Sequence, residues 1–208
     1  SQVRKDDLAA EVAESMVDKL PKGQYVSLIG MQAFHHWRNA GQWAKSNLAG
    51  NKLLGAKLTL DTKTARQLHI YMAENYARVG QRANSVESWK AARKIEDSSY
   101  LHGRQITEMY SANAKGTEIE AEAERYAKAY PNRSDRHQWM GYAALAYLRE
   151  EGGKPKGLAL IEKILSHDAQ SHTLASIYVR NSATEPDALS NVEKVLKSAV
   201  TANPQHGA

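Results

Sequence analysis

Apolar residues recur along this chain at helical spacing almost from end to end, and the strict alternation that marks strands is nearly absent. Leu8, Val12, Met16 and Leu20 fall about every four residues, so they share one face of a first helix, with Asp6 or Asp7 placed to cap it. Pro21-Lys22-Gly23 ends that helix, and a second over about 24–39 brings Val26, Ile29, Ala33 and Trp37 to one side. Gly41 makes the turn into a shorter helix from Gln42 to Leu54. Asp61 or Thr62 opens the helix carrying Leu68, Met72 and Tyr76, which stops at Gly80, a residue suited to the left-handed end of a helix. Its partner holds Val86, Trp89 and Ile95, and Ser98 or Ser99 starts the next. Thr117 and Glu120 have capping-box spacing, and Ser134 can cap the helix carrying Trp139 to Leu148, which ends at Gly152-Gly153. Pro155 suits the first turn of another helix; one more runs through Ile177 and Tyr178, and Thr184 with Pro186 opens the last. The pattern predicts about eleven helices joined by short turns.

The chain also echoes itself. Shifting the stretch from His69 to Asp97 by 34 residues lands Met72 on Ile106, Ala73 on Thr107, Tyr76 on Tyr110 and Asp97 on Pro131. A fixed period in this range marks a stack of helical hairpins, each too small to bury its own apolar face. The residues at His69, Met72, Ala73, Tyr76, Gly80, Ser85, Trp89, Ala92 and Asp97 resemble the repeat of the tetratricopeptide family. The next unit reads Gly103, Ile106, Thr107, Tyr110, Ala114, Ile119, Ala123, Tyr126 and Pro131, so the best matches cover about 66–133. An earlier unit fits with Gly30, Ala33, Phe34, Trp37, Gly41 and Ser46, followed by about five extra residues around Ala56 to Leu60. Units around 137–168 and 172–204 fit only after insertions, with Pro204 in the terminal proline slot. The resemblance implies one all-α domain over 1–208, a right-handed superhelix of about five antiparallel helix hairpins with residues 1–22 as an N-terminal capping helix. Trp37, Tyr76, Trp89, Tyr110 and Trp139 are then expected between packed helices.

Composition narrows the classes of function. Of 208 residues 42% are hydrophobic, and no apolar run approaches the roughly 20 needed to cross a bilayer, so no transmembrane segment is expected. The chain has no cysteine, which excludes disulfides, thiolate metal sites and cysteine nucleophiles, and fits a periplasmic or a cytoplasmic protein equally. It begins with Ser1, as a fragment or a processed product would. The net charge of +5 is mild, and the basic excess lies in the first 115 residues.

No catalytic or cofactor chemistry stands out. There is no Gly-x-Ser-x-Gly, phosphate loop, Gly-x-Gly-x-x-Gly or His-Glu-x-x-His, and Glu118, Glu120, Glu122 and Glu124 spread around one helix. His69, His102 and His137 recur at 33 and 35 residues, too far apart on neighbouring hairpins to share one ion, so no metal and no cofactor is expected. What the resemblance implies is binding. The first helix of each hairpin lines a concave groove in that family, which here offers Gln32, His35, Arg38 and Asn39, then Gln67, Ile70, Tyr71, Glu74 and Arg78, then Leu101, Arg104, Gln105 and Glu108. One subtype clamps a carboxylate terminus with lysine and asparagine; here the paired slots hold Met31 with His35, Ile70 with Glu74, and Arg104 with Glu108, which does not fit.

The expected function is therefore a non-catalytic scaffold or adaptor that docks a peptide or partner protein, within a larger assembly such as a bacterial envelope or secretion system. A nucleic-acid binder using Arg78, Arg82, Arg93, Lys94 and Arg104, or Arg133 and Arg136, is the alternative, as is an accessory domain of a larger enzyme.

Overall fold

The computed structural model describes residues 2–19, 24–55, 60–167, 172–182 and 188–202, and these form helices and turns with no strand among them. Eleven helices follow one another: α1 (Gln2–Lys19), α2 (Gln24–Asn39), α3 (Trp43–Gly55), α4 (Thr62–Arg78), α5 (Arg82–Ile95), α6 (Ser99–Ser111), α7 (Gly116–Ala129), α8 (Arg136–Tyr147), α9 (Lys154–Leu165), α10 (His172–Ser182) and α11 (Ala188–Ala202). None of them is long and apolar enough to cross a membrane. The turn at Pro21–Gly23, the residues at 56–59, the Thr184 cap with Pro186, and Pro204 lie outside the described residues.

The helices divide into two compact units, Ser1–Glu108 and Met109–Ala208. In the first, each helix from α2 to α5 packs on the one before it. Phe34, Trp37, Ala49, Leu53, Leu68 and Met72 form one core cluster, and Ala73, Trp89, Ala92 and Leu101 a second. The α2–α3 and α4–α5 hairpins are built alike. Gly41 and Gly80 take φ of 76° and 77°, and the amides of Gln42 and Gln81 reach back 2.9 Å to the carbonyls of Trp37 and Tyr76. That is the helix-ending motif which a residue with a Cβ enters only under strain. On the second helix of each hairpin a buried serine hydroxyl bonds the first helix: Ser46 Oγ to the Phe34 carbonyl at 2.9 Å, Ser85 Oγ to the Ala73 carbonyl at 2.8 Å. Every one of these positions recurs at 39 residues, the period plus the five-residue insertion expected after α3.

The next echo is less regular than its sequence suggests. The left-handed residue after α6 is Asn113, φ 56°, 33 residues beyond Gly80. Its following amide, Ala114, bonds the Met109 carbonyl at 2.9 Å, so Met109 occupies the place of Tyr76. The turn from α6 to α7 holds one residue more than that from α4 to α5. First helices thus repeat at 33 and second helices at 34, where Ile119, Ala123 and Tyr126 are buried as Ser85, Trp89 and Ala92 are. The alignment of Tyr110 on Tyr76 and Thr107 on Ala73 is corrected to Met109 and Ile106.

Three caps and one helix face also differ from expectation. Asp6 and Asp7 lie inside α1 rather than at its start, Thr117 lies inside α7 after an N-cap at Lys115, and Asp135 takes the N-cap of α8 in place of Ser134. Asp61 caps α4 as read, accepting the Thr64 amide at 2.9 Å. Those bonds hold its carboxyl below its ordinary 3.8, the Thr64 hydroxyl contributing most. A depressed carboxyl stabilises the fold above its unfolded pKa and loses that contribution as pH falls through the folded value. Asp61→Ala is expected to lower the melting temperature at neutral pH, with the gap from the parent closing below pH 3.8 when both are followed by circular dichroism.

On α1 the surprise is larger. Leu8, Val12 and Met16, the periodic apolar face, are 63%, 55% and 45% exposed, while Asp6, Ala10 and Ala13 are buried. Two alanines let α1 pack closely on α2, and the carboxylate between them and solvent is not wasted: His36 Nδ1 meets Asp6 Oδ1 at 3.0 Å.

In the second unit α7 packs on α8, α8 on α9, and α9 on both α10 and α11. Ile119, Tyr126, Ala143, Ala144, Tyr147, Ile161 and Leu165 are buried there. Trp139 lies between Tyr126 and Tyr142, with centroids 5.9 and 6.1 Å away, and Tyr142 meets Tyr110 at 5.0 Å. Of the five rings expected between helices, Trp37 and Trp89 are fully buried and Tyr76, Tyr110 and Trp139 half-buried.

Candidate functional site

The expected groove residues sort into three groups once α2 and α4 are packed together in the first unit. The first group is a knot. Arg38 of α2 donates through Nη1 to the Tyr71 carbonyl at 3.0 Å and to Asn75 Oδ1 at 2.9 Å, and through Nη2 to Glu74. Its guanidinium lies 4.4 Å from the centroid of the Tyr71 ring. Asn75, fully buried, passes the chain on by donating to Ser46 Oγ at 3.0 Å and Asn47 Oδ1 at 3.2 Å. Arg38, Tyr71 and Glu74 therefore hold α2 against α4, and the guanidinium and the Glu74 carboxylate are engaged in that contact.

The second group is buried or structural. Ile70 packs against the Ala73–Trp89–Leu101 cluster. Leu101, Gln105 and Glu108 are inside, at 1%, 2% and 4% exposure. Arg93 donates to Gln105 Oε1 at 2.8 Å, and Arg82 to Glu108 Oε2 at 3.1 Å. Arg104 spreads over Trp89 at 5.2 Å with a nitrogen 4.0 Å from Glu108. The one-residue change of register explains this: each helical step turns a side chain by about 100°, so a 34-residue shift selects the wrong face of α6. Asn39 and Arg78 remain exposed, Arg78 with its guanidinium 4.7 Å from the Trp43 ring, and Gln67 is half-exposed.

The third group faces open space. Gln32 and His35 line a cleft of about 750 Å³ between the first half of α2 and the start of α4. Its apolar part comes from Leu28, Met31 and Leu60, and its polar part on the α4 side from Asp61 and Thr64. His35 stands edge-on to Phe34 and to Tyr71, both at 5.5 Å. Burial, with Arg38 and His36 adding to it, pushes the imidazole below its ordinary 6.5, so it presents a neutral ring at pH 7. Ser27 lines the same cleft, and its buried hydroxyl has no hydrogen-bond partner. A buried hydroxyl without a partner is costly, and here it sits beside a space that a ligand group fits. Sequence reading missed Ser27 and Leu28, because repeat positions carried from the family begin later in the helix than the cleft does; Met31 stood in a groove slot but was weighed there only as part of a carboxylate clamp.

The cations proposed for a nucleic-acid surface are mostly engaged within the protein. Arg82 pairs with Glu108, Arg93 with Asp97 at 3.1 Å, and Arg133 with Asp135 at 2.8 Å. Among the described residues no group of three metal-binding side chains converges. His102 Nε2 lies 3.2 Å from Asp97 Oδ2, and His69 is half-buried with its pKa lowered by burial. Compared with known proteins, the sequence matches no family model and no curated relative.

Proposed function

We propose that this chain is a non-catalytic docking module of tetratricopeptide type that takes an extended segment of a partner protein in the α2–α4 cleft. The observation that carries the proposal is the make-up of that cleft. A space of about 750 Å³ has apolar anchors at Leu28, Met31 and Leu60 beside the amide of Gln32, the neutral imidazole of His35 and the unpaired hydroxyl of Ser27. Apolar pockets with a few placed polar groups suit a peptide whose side chains supply affinity and whose backbone amides supply orientation. The Arg38 knot beneath holds the two walls together without consuming the cleft's own polar atoms. The hairpin construction of α2–α3 and α4–α5 supports the family reading, and a right-handed superhelical stack belongs to it as part of the proposal. A nucleic-acid partner is the weaker reading, because Arg82 and Arg93 already have carboxylate partners.

The test is peptide display against the whole chain, followed by affinity measurement of the selected sequence. Met31→Glu is expected to weaken binding about tenfold or more; because Met31 also packs on the Phe34–Trp37–Leu68 cluster, affinity is read well below the variant's own melting temperature, where circular dichroism shows it folded. Peptides that bind equally to the Met31→Glu and His35→Ala variants would place the docking surface elsewhere.

A further inference from the structure

We propose that α1 carries a second docking surface, separate from the cleft, which takes an amphipathic partner helix whose apolar face is bounded by carboxylates. Leu8, Val12 and Met16 succeed one another at four-residue steps, so they form a single stripe along α1. All three are about half exposed or more. Beside the stripe, Ala9, Ala13 and Ile29 of α2 complete a shallow apolar groove of about 500 Å³. Small soluble domains rarely leave a contiguous apolar surface of this kind uncovered unless something docks there. A groove between two helices with small residues along its floor suits a third helix, which lays its own apolar side chains into it.

The charges select the occupant. Lys5 and Lys19 stand seven residues before and after Val12, which places both within about 20° of the stripe's centre line. Both are exposed. The acidic residues nearest in sequence lie off that line: Asp6 is turned to His36, and Glu11, one residue from Val12, points about 100° away. The apolar stripe is thus closed at each end by a cation. A second copy of α1 fits poorly, since antiparallel pairing about Val12 sets Lys5 against Lys19 of the other copy and parallel pairing sets each lysine against itself. An anionic lipid surface fits poorly too: α1 carries five carboxylates, Asp6, Asp7, Glu11, Glu14 and Asp18, against three cations, and a uniformly charged surface meets all of them, whereas a partner helix sets its carboxylates at the two lysines alone. A partner helix with glutamate or aspartate about two turns either side of its central apolar residue meets both lysines.

The experiment uses the whole chain and two synthetic peptides, each roughly 18 residues so as to form a helix on binding. They share one leucine stripe and differ in carrying either glutamate or lysine seven residues from its centre. The glutamate peptide is expected to bind at least about tenfold more tightly in low salt, measured by fluorescence anisotropy. Lys5→Glu with Lys19→Glu should invert that preference. Val12→Gln should abolish binding of both peptides without lowering the melting temperature, since Val12 is 55% exposed. Equal affinity for the two peptides, no binding of either, or binding that survives Val12→Gln would overturn the proposal. So would concentration-dependent self-association in sedimentation that Val12→Gln removes, which would assign the stripe to a second copy. Binding to anionic vesicles with no preference for the glutamate peptide would overturn it in favour of lipid. Among the described residues Gln32 alone lines both this surface and the α2–α4 cleft, so the result stands or falls independently of the peptide reading.

Discussion

Trp89→Ala is expected to lower the unfolding free energy of the first unit by about 3–5 kcal/mol. The indole is fully buried and is the largest member of the cluster it shares with Ala73, Ala92 and Leu101. Its neighbours are small on two sides, so they offer little side chain with which to fill the hole. Tyr100 meets the ring edge-on at 6.2 Å and Arg104 lies over it, and both lose their platform with the indole. One feature works the other way. Trp89 Nε1 is buried without a hydrogen-bond partner, an unfavourable arrangement that phenylalanine would not share. Trp89→Phe should therefore cost far less, about 1–2 kcal/mol. Urea unfolding of the three proteins checks both values. A loss below about 1 kcal/mol for the alanine variant would mean that α4, α5 and α6 are not held together at this point.

Asn75→Leu is expected to cost about 2–4 kcal/mol although it keeps the side chain's size and adds apolar surface. Asn75 is completely buried and serves three partners: it donates to Ser46 and Asn47 of α3 and accepts from Arg38 of α2. Leucine leaves the buried Asn47 Oδ1 without that donor, where water does not replace it, and one N–H of the partly buried Arg38 without its acceptor. Ser46 keeps its bond to the Phe34 carbonyl, so Ser46→Ala alone breaks two bonds while Ser46→Ala on top of Asn75→Leu breaks one fewer. The double variant should be less destabilised than the sum of the two singles. Additive costs in a double-mutant cycle would show that the Arg38–Asn75–Ser46 chain is three separate contacts.

Local signals carried most of the helix boundaries. Gly41 and Gly80 end α2 and α4 because a left-handed residue is a local demand, and a glycine there is visible without knowing the fold. Asp61 is a cap for the same reason. The equivalence of the α2–α3 and α4–α5 hairpins was also legible, since its markers Trp37, Gly41 and Ser46 match Tyr76, Gly80 and Ser85 at one constant shift. The third hairpin was not. Asn113 does the work of a glycine, and Ala114 stood at the 34-residue shift as a plausible but wrong substitute. One uncounted residue in a turn is enough to rotate the inferred binding face of α6 into the core, taking Leu101, Gln105 and Glu108 with it. Thr117 and Ser134 misled for a related reason: capping spacing is common by chance, and Glu120 is held by Tyr147 at 2.8 Å and Lys156 at 2.7 Å rather than by a helix end.

Read alone, the residues gave the helical character that the described segments have, where most helices begin and end, and which aromatic positions stand between them. These follow from periods and turn residues acting over a few positions, where local geometry leaves little choice. The apolar faces of α2, α4 and α5 were legible too, since Trp37, Leu68, Met72 and Trp89 are buried; packing alone settled which faces of α1 and α6 are covered and what the polar groups of α2 and α4 meet. Arg38 and Glu74 looked like a binding wall and became a brace, because each had a partner across the α2–α4 contact. On α1 the apolar stripe looked like core and stands in the open, because two alanines and the Asp6–His36 bond allow a closer approach on the other side. A side chain's period says that it has a face; its neighbours' size and charge decide what that face meets.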